Sequence, residues 1–177
     1  MELQEALEKR RSIRKYLDKD VRDEDIRAII EAAILAPSWK NSQVTRYYVV
    51  RDKDMLAKVK KTLVDFNQVN CKDAPVLIIP TVILNRSGYE RDGTPSNELG
   101  NGWGYYDCGL QSMNLLLKAT ELGLATLVMG LRDADAIKNL LHIPENEAVM
   151  SVIAVGYGDI EPMMPKRKTV EDIVKYD

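Results

Sequence analysis

The chain is poor in the residues that most enzymes use for proton and metal chemistry. It has 177 residues, one histidine (His142) and two cysteines (Cys71 and Cys108). Every Ser-His-Asp or Cys-His arrangement would have to pass through His142, and histidine-rich metal sites are excluded. Two cysteines make no disulfide framework, so a reducing compartment is expected. No apolar run reaches the ~20 residues of a membrane helix. The longest, Ala74 to Leu84, is short and carries two prolines. The N-terminus reads Met-Glu-Leu-Gln-Glu, with no basic or apolar leader segment. A cytoplasmic protein is expected. Neither GxxxxGK[ST] nor a strand-turn-helix GxGxxG occurs. No metal is expected.

An excess of positive charge is also missing. Lys plus Arg is 25 against 27 Asp plus Glu, a net charge of -2. A dedicated nucleic-acid binder would be basic overall, and no nucleic-acid partner is expected. The distribution is less even than the total. Lys9-Arg10-Arg11-Ser12-Ile13-Arg14-Lys15 is one basic cluster, and Lys166-Arg167-Lys168 is another. They are either two solvated charge runs or two halves of one anion site.

What is present is an alternation of helical and strand patterns over one domain, residues 1–177. Leu3 and Leu7 mark a short helix over 2–9. Asp23 caps a second helix, whose face is Ile26, Ile29, Ile30, Ala33 and Ile34, ending before Pro37. Ser38 to Gln43 is a polar loop, and Tyr47–Val50 a strand. Met55, Leu56, Val59, Leu63 and Phe66 predict one helix that stops near Asn67. Val76–Ile79 is a buried strand running on toward Leu84. Asn85 to Gly104 is a long Gly- and Asn-rich loop, of a length that is often functional. Tyr105 to Leu122 is the longest helix, closed by Gly123. Strands follow at Ala125–Met129 and Ala148–Val155, with an Asp133-capped helix between them and a last turn at Thr169–Val174. His142, after Leu140-Leu141, reads as a helix-end residue. Taken alone, the alternation points to a βαβ nucleotide-binding fold, although the glycine patterns do not support one.

Five stretches together resemble the nitroreductase family of flavoproteins, in order and at the usual spacings, over about residues 3–174. They are Arg10-Arg11-Ser12-Ile13-Arg14 after a short helix, and Ala36-Pro37-Ser38-Trp39-Lys40-Asn41-Ser42-Gln43. The third runs from Tyr106-Asp107-Cys108-Gly109 through Leu124. Then come Met129-Gly130 with Leu140 to Glu145, and finally Val155-Gly156-Tyr157-Gly158 with Pro165-Lys166-Arg167-Lys168. The resemblance implies an α+β fold with a central, mainly antiparallel sheet. It implies an intertwined homodimer with two flavin mononucleotide (FMN) sites at the interface. It further implies hydride transfer from NAD(P)H through FMN to a nitroaromatic, quinone or similar small acceptor, with flavin N5 carrying the hydride and no catalytic side chain.

On that resemblance, Arg10, Ser12 and Arg14 meet the phosphate, and Lys166 and Lys168 close it from the far end of the chain. Forked guanidinium donors suit a phosphate. Arg11 is included through its backbone. Arg11 and Arg167 lie between the matched positions and can point elsewhere. Pro37, Ser38, Trp39 and Asn41 line the ring edge from the partner subunit. Asn67 meets the pyrimidine side or, alternatively, caps a helix. Asn70 sits on the N1/O2 edge, where a neutral side chain stabilises reduced flavin less than lysine would. Met129 and Gly130 pass beneath the ring, Gly130 offering its N–H. Tyr89 could wall the substrate pocket, while Trp103 and Tyr105 read as packing residues. Competing readings are reductive dehalogenation or another reaction of the superfamily, an FMN-storing or redox-sensing protein, and a flavin-free anion-binding module.

Overall fold

A computed structural model describes residues 1–177. Its centre is strand β2, Val76–Ile83, an uninterrupted apolar run. Such a run requires cover on both faces, and alternate residues go opposite ways. Leu77 and Ile79 enter one core with Ile13, Tyr16, Leu127, Met129 and Ala154. Val76 and Ile78 enter the other with Leu115, Ala119, Ile153 and Val155. Helices α3 (Lys53–Lys60) and α6 (Ala134–Leu141) close the first layer. Helices α2 (Asp23–Ile34) and α5 (Gly102–Glu121) close the second, through Ile26, Ile29 and Ala33 of α2.

The strand order is β1-β2-β5-β3, with β1 at Thr45–Val50, β3 at Ala125–Met129 and β5 at Val152–Gly156. The short strand β4, Glu147–Val149, also pairs with β2. Every pairing is antiparallel. The expected α+β fold with an antiparallel sheet is what forms, and the βαβ reading of the alternation is overturned. Adjacent strands β1 and β2 are joined by a helical excursion in place of a hairpin. Along the sequence this imitates a parallel crossover.

Three local expectations also need correction. The single helix from Met55 to Phe66 is two, α3 and α4 (Asp65–Asn70). The break falls where Leu63 bridges to Arg132 and the Thr62 carbonyl accepts from the Asp133 N–H, 2.7 Å away. The strand expected at Ala148–Val155 is split into β4 and β5. The split lies opposite Pro80, which has no N–H to offer a ladder, although its carbonyl accepts from the Met150 N–H. Asp23 begins α2 without capping it; Arg22 occupies the cap position, and the Asp23 carboxylate pairs with Arg51. Elsewhere the reading holds. Asp133 caps α6 by accepting from the Ala136 N–H, and His142 ends it in the left-handed conformation, φ 52°. Thr169 and Asp172 form a reciprocal cap on α7, Val170–Ile173. No helix is long and apolar enough to cross a membrane.

Candidate functional site

Helix α1, Leu3–Lys9, delivers the first basic cluster to the edge of the sheet. After it the chain runs along β3: Ser12 bridges Thr126, and the Ile13 N–H donates to the Thr126 carbonyl at 3.0 Å. Tyr16 anchors the far side. Its ring is buried, its hydroxyl donates to the Ile13 carbonyl, and burial pushes its pKa well up. Gly156 lies against that ring, since a Cβ there would meet Tyr16 Cδ1 at 2.9 Å and Pro75 Cδ at 2.8 Å. Segment 12–17 is therefore held at both ends by backbone and core.

The lysines beside this segment are paired and its arginines are not. Lys9 pairs with Glu5 and Lys15 with Asp159. Arg10, Arg11, Arg14, Lys166, Arg167 and Lys168 form no ion pair. Partial burial lowers the Arg10 pKa, and the like charges of Arg167 and Arg11 lower it further. Cations crowded together without an anion disfavour their own charge, and a bound anion would relieve that. Arg14 reaches back to the Ser12 carbonyl at 3.3 Å. Arg11 turns away, donating to the Arg10 carbonyl at 2.9 Å and the Glu8 carbonyl at 2.5 Å. Of the second cluster, Arg167 is the residue whose charge acts on Arg10. All three cations of that cluster, Lys166, Arg167 and Lys168, are exposed. Arg10 and Arg11 line a cleft of about 1050 Å³ with Thr120, Gly123 and Leu124 at the end of α5.

Further along β3, about 10 Å from Thr126 at ~3.3 Å per residue, the edge is open. The Met129 side chain enters the core, so this residue presents only backbone. Gly130 is exposed, nothing lies within 4 Å of where its Cβ would be, and its N–H has no partner in the chain. Asn67 is a buried residue within α4, which settles the capping alternative. Its amide donates to the Leu131 carbonyl at 3.5 Å and ties α4 to this edge. Asn70 is half-buried one turn on.

Pro37, Ser38, Trp39 and Asn41 lie elsewhere. The loop forms a short 3-10 turn, Trp39–Asn41, with Lys40, Asn41 and Gln43 at positive φ. Left-handed non-glycine residues cost of order 1 kcal/mol each and need an anchor. Here it is Asp107 of α5, which accepts the Trp39 N–H. Ser38 adds a local bond, accepting from the Gln43 N–H at 3.1 Å. The Trp39 ring lies 4.5 Å from Trp103, and its Nε1 is buried without a partner. Asp107 and Thr120 are thirteen positions apart on α5. At 1.5 Å per residue the loop is thus roughly 20 Å from the Arg10 cleft. One chain brings Arg10, Ser12, Arg14, Asn67 and Gly130 to a single strand edge and puts Pro37–Asn41 at the other end of α5.

The exposed side of α5 carries Tyr105, Tyr106 and Met113, and α1 exposes Leu3 and Leu7. Tyr105 was expected to pack and is 41% exposed. Trp103 does pack, between Trp39 and Tyr106.

These features define an α+β protein with one antiparallel sheet between helices, and comparison with known proteins places it. The model of the Nitroreductase family matches residues 7–157. A candidate NADH dehydrogenase/NAD(P)H nitroreductase of Methanothermobacter thermautotrophicus is 37% identical over 161 residues, covering 89% of this chain and 78% of its own. One of the same description from Archaeoglobus fulgidus is 34% identical over 152 residues, covering 84% and 80%. The crystal structure of a candidate nitroreductase in complex with FMN from Desulfovibrio desulfuricans has a TM-score of 0.78 at 26% identity, covering 100% of this chain and 98% of that one. The chain belongs to the nitroreductase family.

Proposed function

We propose that the 177 residues act as one FMN-binding unit of a homodimeric oxidoreductase. It takes hydride from NAD(P)H and delivers it to a nitroaromatic, quinone or similar small acceptor. The carrying observation is the strand edge at β3, with unpaired cations at one end and a bare backbone N–H at the other. That order suits a ligand with a phosphate tail and a flat polar-edged ring. FMN, when bound, supplies the hydride-accepting and hydride-donating centre, so the chain needs no acid–base triad. Arg10, Ser12 and Arg14 would hold the phosphate, with Arg167, Lys166 and Lys168 as neighbours. Gly130 would donate its N–H to the ring, and Asn67 and Asn70 would flank the ring's pyrimidine edge. Pro37, Ser38, Trp39 and Asn41 lie at the opposite end of α5 from the Arg10 cleft and would serve the ring held by the second subunit. The exposed apolar faces of α1 and α5 are the surfaces such a dimer would bury.

An absorbance spectrum of the purified protein, followed by anaerobic addition of NADH or NADPH, tests this. A yellow protein with stoichiometric FMN that bleaches rapidly is expected. A flavin that stays oxidised through many minutes of excess NAD(P)H points to storage or sensing. A colourless protein that does not take up FMN overturns the assignment.

A further inference from the structure

Asp107 is 2% exposed and faces no cation. Its two oxygens lie at 3.1 Å from the Trp39 N–H, and one accepts from the Ser87 hydroxyl at 2.6 Å. A carboxylate is expensive to bury with so few donors, so its two partners matter. Trp39 opens the left-handed turn of loop 37–43. Ser87, itself buried, opens the long loop between β2 and α5. The two loops meet again where Lys40 pairs with Glu90 at 3.0 Å, and loop 37–43 also touches the start of α5 where the Trp39 and Trp103 rings pack. The Lys40–Glu90 pair is exposed and weak. Only Asp107 holds both loops from inside.

We propose that Asp107 is a positioning residue that pins loop 37–43 and the 85–101 loop to one point on α5. In that way it sets the edge that loop 37–43 turns toward the ring. The inference rests on the FMN reading above for its ligand and on the hydrogen bonds alone for the pin. Asp107 would touch neither cofactor nor acceptor.

The test compares Asp107→Ala with Asp107→Asn and the parent. An asparagine keeps an acceptor for the Trp39 N–H and can donate to Ser87, losing only the charge. Trp39 and Trp103 are the two tryptophans of the chain, so near-ultraviolet circular dichroism of flavin-free protein reports their contact. Hydrogen exchange at the Trp39 amide reports the bond itself. Asp107→Ala should lose the tryptophan signal and the amide protection. It should also weaken FMN and riboflavin binding alike, by about tenfold or more, as the loss of both hydrogen bonds that hold the loops implies. Asp107→Asn should keep the signal and bind both flavins within about threefold of the parent.

The proposal is overturned if Asp107→Ala merely melts earlier while dichroism, exchange and flavin affinity stay as in the parent. It is equally overturned if Asp107→Asn falls as far as Asp107→Ala, since the charge would then matter and not the pin. Should Asp107→Ala not fold, Asp107→Asn decides alone by the same readings. A parent that binds neither flavin fails the cofactor reading, and the dichroism and exchange results then still decide the pin.

Discussion

At the C-terminal end of α5, the Arg10–Arg14 segment is rigid in its backbone and unfinished in its charges. Ser12 and Ile13 are bonded to β3, Tyr16 is locked in the core, and the arginines meet no acid. At the N-terminal end, loop 37–43 is the reverse. Its charge is settled by Lys40–Glu90, while its backbone is strained and Trp39 Nε1 and Ser42 Oγ are buried without partners. One end lacks an anion, and the other lacks polar neighbours. A single chain cannot bring the two together across some 20 Å of helix. The two ends of α5 thus have opposite deficits, as they would if each were half of the site proposed above.

The largest effect is expected from complementation between two variants. One variant carries Arg10→Ala and Arg14→Ala, the other Trp39→Ala and Asn41→Ala, and neither should retain FMN alone. Refolded together in equal amounts, random pairing makes half the dimers mixed. Each mixed dimer has one intact site, so about a quarter of all sites should recover flavin. No recovery, with both chains folded, places the whole site in one subunit.

A smaller effect sharpens the phosphate end. Arg14→Ala should weaken FMN binding by ~1.5–3 kcal/mol, or ~10- to 150-fold, and leave riboflavin affinity unchanged. Titration by fluorescence quenching checks it. Equal losses for both flavins would make Arg14 a structural residue.

The smallest effect compares local opening. Burial raises the pKa of both thiols, Cys71 beneath Tyr16 and Cys108 beside Asp107, so neither reacts readily in the folded state. Cys108 packs against Val44, the residue that follows the strained loop, and should be alkylated several-fold faster than Cys71 in flavin-free protein. Mass spectrometry of iodoacetamide-treated protein reads the ratio. Equal rates would mean that the loop end is as firmly closed as the other.

How much of this was legible in the sequence varies with the range of the cause. The helices from Asp23 and Ala134 and the strand from Val76 follow local patterns, and they stand nearly where those patterns put them. The break at Thr62–Leu63 was not legible, because its cause is a pairing with Arg132 and Asp133 about seventy residues away. Sheet order was not legible either, since helical connections join antiparallel neighbours. In the candidate site the arginines could be read from charge, but the orientation of Arg11 and the closeness of Arg167 to Arg10 could not. Asp107 left a signal that went unread. It shares i, i+4 spacing with Gln111, Leu115 and Ala119, all buried. An acid on that stripe requires donors from elsewhere in the chain.

Pro80 bears on the unfolded chain as much as on the sheet. Val76 to Ile83 is eight residues without a charge, the kind of segment that stacks on copies of itself before it finds β1 and β5. A proline at its middle removes one donor from every layer of such a stack. The native sheet tolerates the gap because the chain bends between β4 and β5 at that point. Nascent chains are thereby kept from one another by the residue that divides their own strand.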